Sequence, residues 1–101
     1  MRSREVAKAA KGVIPNAKVY DYGDQIEVCG TVRIEREDCE KGGCTVELSV
    51  LIMKWRVTLE FGIDGYTEDG LRRNVGKLPE KCLKCLMGEL LYWKGEVLKS
   101  L

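Results

Sequence analysis

The chain contains no histidine, a single glutamine (Gln25) and two asparagines (Asn16 and Asn74). Without imidazole there is no Ser-His-Asp triad and no Cys-His couple, because the usual proton acceptor at neutral pH is missing. Long apolar runs are missing as well. The longest purely aliphatic stretch is Val50-Leu51-Ile52-Met53, and residues 1–14 carry Arg2, Arg4, Glu5, Lys8 and Lys11. That pattern excludes a membrane-spanning helix and a secretory leader, and leads to the expectation of a cytoplasmic protein. No phosphate loop is present, since Gly76-Lys77 is followed by Leu78 instead of Ser or Thr, and there is no G-x-G-x-x-G. The carboxylates alternate with apolar residues, the pattern of a solvated sheet face rather than an acid/base pair. A non-enzymatic protein is the expectation.

What is present is a single domain, 1–101, with enough apolar residues (45%) for one core. Eleven Glu and ten Lys against three side-chain amides is a composition associated with thermophiles, whose cytosols tolerate disulfides. Net charge is +1 but unevenly spread. Arg2, Arg4, Lys8, Lys11 and Lys18 make the first twenty residues basic, residues 21–47 are acidic, and Arg72, Arg73, Lys77, Lys81 and Lys84 form a second basic cluster. The molecule has poles that can orient a partner.

The spacing predicts a short helix over residues 4–11, capped by Ser3 and stopped by Gly12, with Arg4, Lys8 and Lys11 on the face opposite Val6 and Ala10. After Pro15 the period becomes two. Val19–Tyr22 leads through Gly23-Asp24, a dipeptide suited to a two-residue hairpin loop, into Gln25–Arg36, where Ile26, Val28, Val32 and Ile34 share one face. Residues 37–44 read as a polar loop. A strand from Thr45 carries Val46, Leu48, Val50 and Ile52 inward, and from Trp55 the inward parity shifts to Trp55, Val57, Leu59 and Phe61. A bulge in one long strand explains the shift better than a two-residue turn, because Met53-Lys54 lacks positive-φ residues. Residues 62–78 read as a loop with one helical turn after Thr67. Pro79 then opens a long helix reaching about residue 99. The fold class is therefore α+β: a three- or four-stranded antiparallel meander with a short N-terminal and a long C-terminal helix on one face.

On the last helix Leu83, Leu86, Leu90, Trp93 and Val97 form one apolar column, and Met87, Leu91 and Leu98 a second beside it. The combined arc is wider than a small sheet needs. Met87, Leu91, Leu98 and Trp93 are accordingly the candidate interface for a protein partner or a second copy.

The cysteines fall in two tight pairs, Cys39-x4-Cys44 in a Gly-containing loop and Cys82-x2-Cys85 at a helix start, with Cys29 alone on a strand. This placement resembles the treble-clef zinc-finger arrangement, which implies Cys39, Cys44, Cys82 and Cys85 as ligands of one zinc ion. A Cys39–Cys44 disulfide and buried free thiols are the competing readings, with no cofactor required. The Cys82/Cys85 pair also permits a thiol redox role, since a helix start lowers a thiolate pKa.

The order helix, three strands, helix with lysines at the last helix start is similar in topology to double-stranded-RNA-binding domains. That resemblance, carried by Lys77, Lys81 and Lys84, implies nucleic-acid binding, and the two basic clusters, Arg4, Lys8 and Lys11 with Arg72, Arg73, Lys77, Lys81 and Lys84, are the candidate surface for it. The expected function is a small accessory subunit or regulator that binds protein through its last helix, with nucleic-acid binding as the alternative and thiol redox chemistry third.

Overall fold

The computed structural model describes residues 2–36, 39, 42–74 and 77–101. Helix α1 (Ser3–Val13) is followed by strands β1 (Lys18–Asp21), β2 (Gln25–Ile34), β3 (Cys44–Met53), β4 (Leu59–Ile63) and β5 (Tyr66–Thr67), then α2 (Glu68–Arg73) and α3 (Glu80–Lys99). The strands form one antiparallel meander in the order β1-β2-β3-β4-β5. The α+β class and the two flanking helices agree with the sequence pattern, but the sheet has five strands rather than three or four.

The centre of the sheet is the β2–β3 hairpin, paired without a break from Gln25↔Met53 to Ile34↔Cys44. Strict alternation explains its two faces. Ile26, Val28, Val32, Ile34, Val46, Leu48, Val50 and Ile52 are buried in one cluster with Phe61 and Ile63 of β4 and with Val6, Ala7 and Ala10 of α1. Leu86, Leu90 and Val97 of α3 complete that cluster. Across the covered face α1 lies over β1 to β3, α3 packs beside it toward β4, and α2 sits against β4, β5 and α3. Among the described residues, no helix is long and apolar enough to cross a membrane.

Several boundaries differ from the sequence expectation. In α1 the N-cap is Arg2, with no side-chain cap, and Gly12 lies inside the helix. The chain leaves α1 at Ile14, whose extended conformation (ψ 126°) is the one the following Pro15 imposes. Gly23 adopts φ +94° in the β1–β2 turn, where Tyr22 N–H donates to the Gln25 carbonyl at 2.8 Å, so the two-residue loop is as expected. The parity shift after Ile52 is neither a bulge nor a two-residue turn. Ile52 pairs with Leu59 instead of Trp55, and the intervening residues are a wide hairpin loop closed by Met53 N–H donating to the Thr58 carbonyl at 3.2 Å. Trp55 and Val57, expected inward, project from that loop at 77% and 40% exposure. The fifth strand comes from a tight turn at Asp64-Gly65, both at positive φ, which folds Tyr66-Thr67 back on β4. Thr67 then caps α2, its Oγ1 accepting from Gly70 N–H at 2.9 Å. Residues 37, 38, 40 and 41 of the expected polar loop, and 75 and 76 before α3, lie outside the described residues.

One close approach fixes where α1 sits. The Pro15 carbonyl accepts from Thr31 N–H at 3.0 Å, and a Cβ at Gly30 would lie 2.2 Å from that carbonyl oxygen and 2.3 Å from Ile14 Cγ2. Replacing Gly30 by Ala is therefore expected to destabilise the protein by about 2 kcal/mol or more, because backbone has to move. Gly95→Ala, in a helix interior with nothing within 4 Å of the added methyl, should instead stabilise by roughly 0.5–1 kcal/mol. Urea unfolding of the two variants beside the wild type checks both signs.

Candidate functional site

Four surfaces stand out, three of them carrying the chemistry singled out in the sequence. The first is an apolar groove of about 570 Å³ between α2 and α3, lined by Leu71, Arg72, Leu83, Lys84, Met87, Gly88 and Leu91. Helical spacing puts Leu83, Met87 and Leu91 in one column at four-residue steps, while Leu86 and Leu90 point into the core. Leu71, the one buried residue of α2, lies at the floor of the groove, and Arg72 lines its α2 side. Of the sequence-predicted interface residues, Met87 and Leu91 line the groove, and Leu98 continues the column toward the C-terminus at 47% exposure. Trp93 is elsewhere: it packs partly against the core, and its indole N–H donates to Glu89 at 3.0 Å. The contributions of Leu71 and Leu83 were not singled out for this surface. The signal was the Thr67 cap, which announces a helix whose single large apolar residue is Leu71.

The basic residues do not form one surface. Arg4, Lys8 and Lys11 line a depression with Val19 and Asp21 beside β1. Arg72, Arg73, Lys77, Lys81 and Lys84 lie at α2 and the start of α3, toward the opposite edge of the sheet. Three of these pair with acids one helical turn earlier: Arg73 with Asp69 at 2.9 Å, Lys84 with Glu80 at 3.0 Å and Arg72 with Glu68 at 3.8 Å. Such exposed pairs are individually weak.

The paired cysteines collect near one end of the sheet. Cys39 and Cys44 are joined as a disulfide, with Cα atoms 5.7 Å apart. Cys82 is 2% exposed, and the half-buried Cys85 donates its S–H to the Glu35 carbonyl at 2.8 Å. Burial, then the charge of Glu89, pushes the Cys85 thiol above its ordinary range, with Arg36 opposing. A redox cysteine needs the reverse shift, so this environment gives the Cys82/Cys85 redox reading little support.

The fourth surface, which sequence reasoning missed, is the sheet face left open by the helices. Lys18, Tyr20, Tyr22, Glu27, Cys29, Thr31 and Glu47 line a shallow depression of about 370 Å³ there. Tyr20 and Tyr22 stack with centroids 6.5 Å apart, and Cys29 donates its S–H to Glu27 at 2.9 Å. Alternation with Val28 puts Cys29 on this open face, but its neighbours bury it to 9% exposure. Burial first, then the hydrogen bond and charge of Glu27, pushes its thiol up to about 12.

A thiol whose native pKa is raised stabilises the fold fully below its ordinary value, here 9.0, and that contribution is lost as pH rises through 12. Wild-type stability should thus fall more steeply with alkaline pH than that of Cys29→Ala, while the two run parallel below about pH 8. Urea unfolding across that range measures the difference. No protein-family model, curated protein or solved structure matches the chain.

Proposed function

We propose that this chain is a small non-enzymatic binding protein, an accessory subunit or regulator, that docks an amphipathic helix of a partner protein in the groove between α2 and α3. The supporting observation is the groove: an apolar channel whose exposed lining is Leu83, Met87 and Leu91 of α3, with the buried Leu71 at its floor and Arg72 on the α2 side. At 1.5 Å per residue the column from Leu83 to Leu91 runs about 12 Å, matching two turns of a partner helix.

Charge selects the occupant. Both charged side chains that line the groove, Arg72 and Lys84, are cations. In a symmetric dimer through this patch they would face their own copies, a like-charge contact that opposes assembly. A partner whose apolar stripe is flanked by Glu or Asp meets them favourably, and their present surface pairs are weak enough to exchange. Association through sheet edges is also discouraged, because β1 has four residues including Lys18 and Asp21, and β5 has two.

The nucleic-acid alternative draws less support, since one basic cluster lies on α1 and the other on α2 and the start of α3, and Arg72, Arg73 and Lys84 are already paired to acids.

Fluorescence anisotropy with two labelled peptides of one Leu/Met face, flanked by Glu in one and by Lys in the other, tests the reading. The acidic peptide should bind at least about tenfold more tightly, roughly 1.4 kcal/mol, and weaken with salt. Leu91→Lys should abolish binding with the circular dichroism unchanged. Binding of neither peptide, equal binding of both, or a wild-type dimer that Leu91→Lys dissociates would overturn it.

A further inference from the structure

Trp55 is the most exposed large apolar side chain among the described residues, at 77%, and in the β3–β4 loop it stands between Lys54 and Arg56. It takes no part in the core. Val57, two residues on, is exposed as well, and it lines a depression of about 480 Å³ together with Lys54 and with Arg2, Ser3 and Arg4 at the start of α1. A second depression, of about 290 Å³, shares Arg4 and continues along α1 with Lys8, Lys11 and the exposed Val19. The loop that presents Trp55 is braced. Lys54 N–H donates to the Asp24 carbonyl at 2.9 Å, and its Nζ donates to the two carboxylate oxygens of Asp21 at 2.7 and 2.9 Å. With Asp21 thus neutralised, the charges left on the loop, α1 and the adjoining turn are Arg2, Arg4, Lys8, Lys11 and Arg56 against Glu5 and Asp24.

We infer that the β3–β4 loop and the outer face of α1 form a docking surface for an anionic lipid bilayer, with Trp55 and Val57 entering the headgroup layer and Arg2, Arg4 and Arg56 meeting its phosphates and carboxylates. An indole is amphipathic and settles at headgroup level, and cations beside it are drawn to a negative leaflet. Single-stranded nucleic acid carries the same charge, but proteins that hold it stack successive bases on several rings. Trp55 is the one aromatic residue of the loop and α1, and its apolar companions Val57 and Val19 are aliphatic. Tyr20 and Tyr22 line the depression on the other face of the sheet. The surface therefore matches a bilayer interface better than a strand of bases. Neither α2 nor α3 belongs to it, so it is separate from the peptide groove.

Cosedimentation of the full chain with phosphatidylcholine vesicles, with and without phosphatidylserine, tests the inference. The protein should bind the phosphatidylserine vesicles only, and added salt should release it. Brominated lipid should quench the emission of the bound wild type and leave that of Trp55→Phe, which reports Trp93, unchanged. Trp55→Ala and the double variant Arg2→Glu/Arg4→Glu should each weaken binding at least about fivefold, with circular dichroism unchanged because all three side chains are exposed. Absence of vesicle binding at low salt, binding without quenching, undiminished binding by either variant, or a preference for oligothymidylate over the vesicles would overturn it. The vesicles offer no helix to the α2–α3 groove, so this test and the peptide test fail separately.

Discussion

The pairing of β2 with β3 is the constraint from which the remainder of the structure follows. Ten consecutive pairs hold it in one register, and a slip of one residue would turn Val28, Val32, Val46 and Val50 out to water together. Because that register is fixed by so much buried surface, the weaker elements can be short. β1 and β5 add only four and two residues, and each is held by a turn with positive-φ residues where the chain reverses. The helices then have one face to cover. α1 reaches it at a depth set by Gly30, where the β2 backbone and the α1–β1 connection touch.

That constraint was legible where alternation was long. Ile26 to Ile34 and Val46 to Ile52 read as one buried face from their period alone, and Leu86, Leu90 and Val97 as the inner column of the last helix. Legibility failed where a short alternating run was accidental. Trp55, Val57 and Leu59 continue a period of two through a loop that contains no Gly, Pro or Asn to mark it, so the loop passed for strand. β5 failed for a different reason, since two residues have no period and only the Asp64-Gly65 turn announces them. At the candidate surfaces the sequence showed that α3 has more apolar arc than the sheet consumes. It did not show that α2 would fold against α3 with Leu71 at the floor of a groove beside that surplus. The closeness of Cys85 to the exit of β2, and the burial of Cys29 on an otherwise wet face, are tertiary facts with no local signature.

The sheet separates two kinds of surface. On the covered side, the leftover apolar residues lie at the α2–α3 boundary with cations around them. The open side carries Glu27, Glu47 and Glu60 among tyrosines. Charge is thus unevenly divided between the two sides, with Lys18 as the cation among the glutamates of the open depression and Arg72 and Lys84 at the groove, although the net charge of the chain is nearly zero.

The order of elements along the chain bears on how it is made. Strands β1 to β5 each pair with a sequence neighbour, so the meander can assemble as it leaves the ribosome. Its inner face cannot be completed at that stage, because Leu86, Leu90 and Val97 belong to the last twenty-two residues. Of the helices that cover that face only α1 precedes the sheet in sequence, so its Val6, Ala7 and Ala10 are the first helical partners that β2 and β3 meet.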